Sequence, residues 1–264
     1  MILEAENLKK SFGEAESRRR VLDGVSFAVA AGECLGIVGQ SGCGKSTAMR
    51  IAARLLDADE GRIAFCGADI THARGRELRE VYGSLQMVFQ MPEDSFDPRK
   101  TLGWSIAEPL RHHGWSKARC KERVAALLHE VGLGAHFAAR YPYEASGGEC
   151  QRAAIARALA LSPKLIICDE VTSALDVTVQ AEIVRLLRKL LKEENAACLF
   201  VTHDLALLPE IADRLIVMHD GRVVEEGRVQ EIVRQPQSPH TRELLAADFF
   251  RLPREEEEGE KSTA

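Results

Sequence analysis

The hydrophobic positions of the chain fall first into short, continuously apolar runs that are bounded by turn residues. Four such runs are CLGIVG at residues 34–39, LQMVFQ at 85–90, LIICDE at 165–170 and ACLFVTHD at 197–204. Their central positions are apolar throughout instead of alternating with polar ones. This pattern predicts strands that are buried on both faces of a parallel sheet.

Between these runs the hydrophobic residues follow a helical period. The clearest case is VQAEIVRLLRKLLKEE, where apolar residues are spaced i, i+3, i+4, i+7 and i+8, at Ile183, Leu186, Leu187, Leu190 and Leu191. That spacing predicts an amphipathic helix with one buried face. Strands that alternate with such helices are typical of a layered α/β fold.

Two regions depart from the alternation. The stretch GRIAFCGADI at 61–70 predicts a hairpin, and therefore a small antiparallel patch early in the chain. Residues from about 101 to 145 show only helical periodicity, for instance at Val124, Leu127 and Leu128, which predicts an inserted helical part. The last stretch, RLPREEEEGEKSTA, is a charge block typical of a solvated tail.

Composition then narrows the class of protein. A chain of 264 residues, 45% of them hydrophobic, is long enough for one main domain with an insertion. Its formal net charge of -5 provides no basic field, so nucleic acid is not an expected partner. No run approaches the ~20 apolar residues that span a bilayer, so we expect any membrane role to depend on a partner.

The residues that commonly hold metals are sparse. Seven cysteines are scattered and never spaced as CxxC, which is typical of reduced cytosolic thiols and not of a disulfide framework or a zinc site. The pair His112–His113 has no carboxylate or cysteine at ligand spacing nearby, so an exposed pair is the better interpretation.

The sequence GQSGCGKST at 39–47 matches the phosphate-loop pattern GxxxxGK[ST]. It follows a predicted strand and precedes a helical run, a context that disfavours a mere glycine turn. The glycines turn backbone N–H groups toward a triphosphate, Lys45 reaches the β- and γ-phosphates, and the Ser46 hydroxyl can ligate Mg²⁺. The predicted phosphate-binding residues are Gly39, Ser41, Gly42, Cys43, Gly44, Lys45, Ser46 and Thr47.

Two carboxylates end the apolar run LIICDE. We expect Asp169 to hold a metal through water and Glu170, one residue farther out, to face the attacking water. Carboxylates at a strand end are often only structural, but a phosphate loop stands upstream of this pair. Together the two motifs predict hydrolysis of a nucleoside triphosphate.

A second glycine turn, ASGGE at 145–149, opens an Ala-rich helical run, and no lysine follows it. A phosphate loop, an SGG turn roughly 100 residues later and a strand ending in DE roughly 20 residues after that turn together resemble the nucleotide-binding subunits of ATP-binding cassette (ABC) transporters. The signature of that family is LSGGQ. The resemblance implies that Ser146, Gly147, Gly148 and Glu149 dock on the γ-phosphate held by a facing subunit, whereas a ligand-free glycine cap is the alternative.

The resemblance covers about residues 2–245 and implies further roles. Phe12 corresponds to the ring that stacks on adenine, Gln90 to the Q-loop glutamine that touches Mg²⁺ and water, and His203 to the switch histidine at the γ-phosphate. SALD at 173–176, with Asp176, corresponds to the loop that crosses the dimer interface. The implied catalytic residues are Glu170, His203, Lys45 and Gln90, and the implied metal-binding residues are Ser46, Gln90 and Asp169.

The chain also departs from the family pattern. Ala145 and Glu149 replace the usual Leu and Gln of the signature, and Val171 replaces the common Pro after the catalytic Glu. The glycines are kept, so docking is expected, but a carboxylate at Glu149 leaves the strength of the facing site open.

Several stretches resemble one subfamily, which powers import of oligopeptides, dipeptides and nickel. They include QMVFQMPEDSFDPRKTLGWSIAEPLR, TSALDVTVQAEIVRLLRKL and SPHTRELL. The resemblance implies a P-loop NTPase (RecA-like) α/β core at 1–245, with a small antiparallel β subdomain, a helical subdomain inserted at about 92–145, and an acidic flexible tail at 246–264.

The subfamily also implies cofactors and partners. These are ATP and Mg²⁺, a second ATPase subunit, integral membrane permease subunits and, indirectly, a substrate-binding protein, at the cytoplasmic face of the inner or plasma membrane.

No NKxD motif follows the phosphate loop, which favours ATP over GTP. The chain is too short for a tandem translation cassette or a repair cassette with a long coiled coil, whereas a cassette subunit of a phosphonate-cleaving lyase complex stays open as an alternative.

Cys43 adds one chemical expectation. It stands between two phosphate-loop glycines, beside Lys45 and near the amino end of the following helix. Both neighbours favour the thiolate, so the sequence predicts a pKa below the ~8.5 of a free cysteine and a reactive thiol that bound MgATP protects.

Overall fold

The computed structural model describes residues 1–13, 19–173 and 175–249. Its larger sheet contains the four predicted buried strands. The six strands of this sheet are β3 (Cys34–Gly39), β6 (Leu85–Val88), β7 (Leu165–Asp169), β8 (Ala197–Val201), β9 (Arg214–His219) and β10 (Arg222–Arg228). They lie in the order β10-β9-β3-β8-β7-β6, and every pair is parallel except β9 with β10. The polar ends of the runs at 85–90 and 197–204 lie beyond the strands, on the loops.

The smaller sheet is antiparallel. Its strands are β1 (Leu3–Phe12), β2 (Arg19–Val29), β4 (Glu60–Phe65) and β5 (Ala68–Asp69), in the order β2-β1-β4-β5. The hairpin predicted at 61–70 is confirmed as the pair β4–β5. The two long strands β1 and β2, which the hydrophobic pattern did not predict, make up most of this sheet.

Ten α-helices occur among the described residues. They are α1 (Lys45–Ala52), α2 (Gly75–Tyr82), α3 (Leu102–Ile106), α4 (Glu108–His112), α5 (Lys117–Glu130), α6 (Gly147–Ala158), α7 (Val177–Glu193), α8 (Leu208–Ile211), α9 (Val229–Arg234) and α10 (Pro239–Phe249). Short 3₁₀ turns lie at Glu93–Ser95, Ala135–Ala139, Pro142–Glu144, Leu159–Leu161 and Leu205–Leu207. None of the described helices is long and apolar enough to cross a membrane.

The stretch 92–145 is helical throughout its regular structure, and the part from about 101 to 145 agrees with the helical periodicity of the sequence. Thr101 and Ser116 cap the helices α3 and α5 by accepting backbone N–H bonds through their hydroxyl groups. The buried face of α5, which includes Val124, Leu127 and Leu128, packs into the same hydrophobic cluster as α6. The insert therefore rests on the helix that follows the second glycine turn.

Each face of the larger sheet has its own core. Val38 and Phe200 belong to a cluster shared with the helical insert, α6 and α7. Leu35 and Val201 belong to a second cluster, which is shared with α1 and the smaller sheet. Because successive side chains on a strand point to opposite faces, one apolar run fills both cores. This packing fixes the ends of the central strands, where the candidate site lies.

The carboxyl-terminal part is helical farther than expected. Helix α10 continues to Phe249, so the first residues of the predicted tail at 246–264 belong to this helix. The remainder of the predicted tail, 250–264, lies outside the described residues.

Candidate functional site

The predicted site residues follow neighbouring strands of the larger sheet. The phosphate loop leaves β3, Gln90 follows β6, Glu170 follows β7, and His203 follows β8. Since parallel strands place their carboxyl ends at one edge, the four segments meet there.

The phosphate loop is held against the backbone on two sides. Gly39 has φ +151°, and a Cβ on it would lie 2.2 Å from the carbonyl oxygen of Met218 in β9. Gly44 has φ +106°, and its Cβ would lie 2.8 Å from the carbonyl oxygen of Val21 in β2. Only glycine fits both positions. A Cβ on Gly42 would meet nothing within 4 Å, so the loop is open above that residue.

Lys45 places a buried positive charge at this loop. Its side chain is 5% exposed, and its Nζ donates to the carbonyl oxygens of Gly39 (2.7 Å) and Gln40 (3.1 Å). These partners are neutral, and burying an ammonium group is costly without a counter-charge. An anionic group in the open loop therefore fits the donors that the chain provides.

Ser46 and Asp169 form a pair of oxygen donors beside the loop. The Ser46 hydroxyl donates to Asp169 Oδ1 at 3.2 Å, and Asp169 is 5% exposed. Burial raises the pKa of Asp169, and the hydrogen bond from Ser46 offsets part of that increase. Hydroxyl and carboxylate oxygens are the hard ligands that Mg²⁺ prefers, so the pair fits that ion.

Three predicted residues meet around one carboxylate. Glu170 Oε2 accepts a hydrogen bond from Gln90 Nε2 at 2.9 Å and lies 3.7 Å from His203 Nδ1. Gln90 Nε2 also lies 3.3 Å from the hydroxyl of Ser173. Glu170 adopts φ +48°, a left-handed conformation that costs roughly 1–3 kcal/mol for a non-glycine residue. The backbone thus holds this carboxylate at the strand end at the expense of local strain.

The second glycine turn is closed by a capping box. The Ser146 N–H donates to Glu149 Oε2 at 2.8 Å, and the Ser146 hydroxyl accepts the Glu149 N–H at 3.4 Å. The bond from the Ser146 backbone lowers the pKa of Glu149. The carboxylate that replaces the family's glutamine is therefore directed to its own helix end. The pattern S-x-x-E is itself a sequence signal for this contact, because either Glu or Gln closes a capping box.

The other predicted residues occupy varied places. Phe12 ends β1 with 44% of its surface exposed, and Lys10 Nζ lies 5.6 Å from its ring centre. Asp176 caps α7 by accepting the Val179 N–H at 3.1 Å. Ser41 is exposed and Thr47 half-buried. Asp176 thus has a structural contact of its own, which the sequence interpretation had not considered.

A half-buried arginine, which the sequence motifs do not include, ties α6 to the segment after Gln90. The guanidinium of Arg157 donates to the carbonyl (2.6 Å) and hydroxyl (2.7 Å) oxygens of Ser95 and lies 4.4 Å from the Phe96 ring centre. Burial lowers the pKa of Arg157. Ser95 lies in a stretch that resembles the peptide-importer subfamily, but the partnership with Arg157 spans 62 residues, so no local signal could have found it.

The expectation that Cys43 is a reactive thiolate was wrong. The residue is 6% exposed, and its sulfur would lie 2.8 Å from a Cβ on Gly39, which places it under the loop. Burial raises the pKa of Cys43, and the charge of Lys45 offsets that effect only in part. Desolvation therefore outweighs the neighbouring positive charge.

We expect maleimide to label Cys66 first and to leave Cys43 unmodified in the folded protein. Among the seven free cysteines only Cys66 is exposed, and burial raises the pKa of Cys150 to about 11. Peptide mass spectrometry over a time course measures the labelling of each thiol, with denatured protein as the control for full reactivity. Labelling of Cys43 as fast as that of Cys66 would contradict the buried geometry.

Comparison with known proteins gives concordant matches. The family described as "ABC transporter" matches residues 22–173. The oligopeptide transport ATP-binding protein OppF of Salmonella typhimurium is 44% identical over 258 residues, covering 94% of this chain and 77% of the relative. AppF of Bacillus subtilis, also an oligopeptide transport ATP-binding protein, is 46% identical over 255 residues, covering 93% and 78%.

Two further matches concern a longer relative and a solved structure. The glutathione import ATP-binding protein GsiA of Pectobacterium atrosepticum is 46% identical over 224 residues, covering 84% of this chain and 36% of that protein. The dimeric post-hydrolysis structure of the ATP-binding cassette MJ0796, bound to ADP and Pi, superposes with a TM-score of 0.79 at 30% identity. It covers 86% of this chain and 98% of the other.

Proposed function

This chain belongs to the ABC transporter family, as an ATPase of the peptide-importer subfamily, and we propose that it pairs with a second ATPase subunit around two MgATP. The observation that carries the proposal is the position of the Glu170 carboxylate. Gln90 holds it at the sheet edge where the phosphate loop leaves β3. A lysine at the phosphates and a residue that orients the attacking water are recurring parts of sites for phosphoryl transfer to water.

Each residue then has a role in binding or hydrolysis. Lys45 and the loop N–H groups bind the β- and γ-phosphates, while Phe12 stacks on the adenine. Ser46, Asp169 and Gln90 would hold Mg²⁺, which neutralises charge on the phosphate oxygens when bound. The carboxylate of Glu170 orients a water for attack and takes up its proton.

His203 completes the hydrolytic group, by which we mean Lys45, Gln90, Glu170 and His203. Its Nδ1 lies 3.7 Å from Glu170 Oε2, and the residue contacts the γ-phosphate in this proposal. The fixed positions of His203 and Lys45 stabilise the charge that develops on the transferred phosphoryl group, because little reorganisation is needed at the moment of reaction.

The second glycine turn serves the nucleotide of the facing subunit. The first N–H groups of a helix have no partner within it, and at α6 these belong to Gly147 and Gly148. The helix dipole adds partial positive charge at the same end. Asp176 lies in the segment that crosses to the facing subunit. The dimeric state of the solved cassette supports this arrangement.

We further propose that the pair drives peptide uptake through membrane permease subunits on the cytoplasmic face of the membrane, with a substrate-binding protein delivering the cargo. The relatives compared above are named for oligopeptide transport and glutathione import, which favours peptides over nickel. They do not favour a lyase complex or a translation or repair role.

Uptake by the reconstituted transporter tests this function. The chain is assembled in proteoliposomes with its permease subunits and supplied with binding protein, labelled oligopeptide and ATP. We expect peptide accumulation that EDTA abolishes, that excess Mg²⁺ restores, and that Lys45→Ala removes, since the variant loses the buried ammonium at the phosphates. ATP hydrolysis that drives nickel uptake and no peptide uptake would contradict the proposed cargo.

A further inference from the structure

A small, partly open cavity adjoins the hydrolytic group. Its volume is about 60 Å³, and its walls come from three segments: the chain after β6, the head of α6, and the chain between β7 and α7. The lining residues that matter here are Gln90, Glu93, Gly147, Gln151, Val171 and Leu175.

One wall of the cavity carries a buried polar group without a partner. The side chain of Gln151 is 1% exposed, and its Nε2 makes no hydrogen bond to any described residue. An amide donor buried without an acceptor is costly, and such groups in folded proteins are almost always paired with protein or with ordered water. The protein offers no acceptor at this place, so solvent is the remaining partner.

The cavity has the size and polarity that a buried water requires. A water needs roughly 10–15 Å³ of such space and two to four polar partners. The volume here is larger than that, and three residues with polar side chains, Gln90, Glu93 and Gln151, line the cavity. A cavity lined only by apolar side chains would instead stay dry.

We propose that this cavity holds one or two ordered waters that hydrogen-bond Gln151 and connect it to the segment of Gln90 and Glu93. Gln151 is then a positioning residue: it acts through Gln90 on the carboxylate of Glu170. This inference rests on the proposed hydrolytic function of Glu170. It adds a link between the second glycine turn and the hydrolytic group within one subunit.

The surrounding contacts show why water suits this place. The far end of the segment is fixed, because Arg157 holds Ser95 with two hydrogen bonds. Near the glycine turn, a Cβ on Gly147 would lie only 3.6 Å from both Glu93 Oε1 and Leu175 Cδ2. A movement of Gly147 toward a partner's phosphate therefore changes the contacts of Gly147 with Glu93 and Leu175 on the cavity wall. Water can change its hydrogen bonds during that movement, whereas a direct side-chain contact would break.

The test replaces Gln151 by Met, which keeps a similar volume but cannot bond water. In the reconstituted complex we expect kcat for ATP hydrolysis to fall on the order of 10- to 100-fold, with KM for ATP unchanged, because misplacing a catalytic group affects the chemical step. Ile155→Met is the matched control: Ile155 is equally buried in α6 but is not on the cavity wall. Gln151→Asn, which keeps an amide and leaves room for water, is expected to retain hydrolysis.

A Gln90→Ala background separates positioning from simple stabilisation. If Gln151 acts through Gln90, Gln151→Met costs nothing further in that background. An equal loss in both backgrounds, or a loss matched by Ile155→Met, overturns the inference.

A high-resolution crystal structure of the unaltered protein tests directly for the water. Density within hydrogen-bond distance of Gln151 Nε2 is expected, and a dry cavity refutes the proposal independently of any variant. Absence of ATP hydrolysis by the unaltered complex would instead refute the proposed function, so the two failures are distinguishable.

Discussion

Glu170→Gln will lower the rate of ATP hydrolysis by about 10²- to 10⁴-fold, the usual range for loss of a general base. The amide oxygen of the new side chain can still accept the hydrogen bond from Gln90 Nε2, which is 2.9 Å long in the present structure. The geometry is thus kept while the ability to take up a proton is lost. We therefore expect ATP binding, measured by calorimetry, to stay unchanged while phosphate release falls.

Ser173→Ala is the matched control for this experiment. It removes the second contact of Gln90, at 3.3 Å, and the hydrogen bond from the Ser173 hydroxyl to the carbonyl oxygen of Glu170, at 3.0 Å, without altering the carboxylate. Turnover close to that of the unaltered protein is expected for the control. Near-normal turnover in Glu170→Gln itself would refute the assignment of the base.

The second large effect is expected at the second glycine turn, ASGGE at 145–149. Adding Gly148→Asp to the Glu170→Gln form should abolish ATP-driven dimerisation, because the new carboxylate would face the partner's γ-phosphate. Two unit charges 4 Å apart repel by ~4 kcal/mol at the effective dielectric near a protein surface, which is roughly a thousandfold in affinity. Binding of ATP to the monomer should be unaffected. Light scattering with ATP measures the dimer.

Gly148→Ala separates charge from bulk. A Cβ at this position would lie 3.0 Å from Val179 Cγ1, so both substitutions press on the same side chain. We expect the Ala form to dimerise more weakly than the parent but measurably. Dimers that survive Gly148→Asp would show that the turn does not meet a partner's phosphate.

The fold could be predicted where one rule covers a whole element. The runs at β3, β7 and β8 are apolar because both faces of the sheet are buried, and this predicts them as strands. The run at β6 contains Gln86 and is half-buried at its centre, because β6 is the edge strand of the sheet. In β1 the buried residues are Leu3, Ala5 and Leu8, so the alternation changes phase. Register shifts and the left-handed Asn7, φ +50°, cause that change and hide the strand from a strict period of two.

The strand β9 shows a different kind of omission. Its residues Leu215 to Met218 form an apolar run of the same type as the other buried strands, so the signal was present in the sequence. The hydrophobic pattern therefore predicts five strands of the central sheet, the four given above and β9.

The sequence likewise predicts some residues of the candidate site and not others. The motif residues Gln90, Glu170 and His203 lie far apart along the chain and close together in the structure, because each follows a strand of the same parallel sheet. Arg157 and Gln151 belong to no motif, and their partners come from distant segments. Cys43 was misjudged because the sequence displays its charged neighbours but not the packing of β9 that buries it. Burial is a property of the whole chain, and no local pattern reveals it.

The contacts between β9 and the phosphate loop have a consequence for biosynthesis. Gly39 pairs with Met218, and the Gly221 N–H donates to the carbonyl oxygen of Cys43 at 3.1 Å. The residues of the loop are translated before β9, the strand that shapes the loop. A nascent chain that contains the loop but not yet β9 therefore has no formed nucleotide site. Because a ligand stabilises only the state that binds it, cellular ATP favours finished chains over unfinished ones.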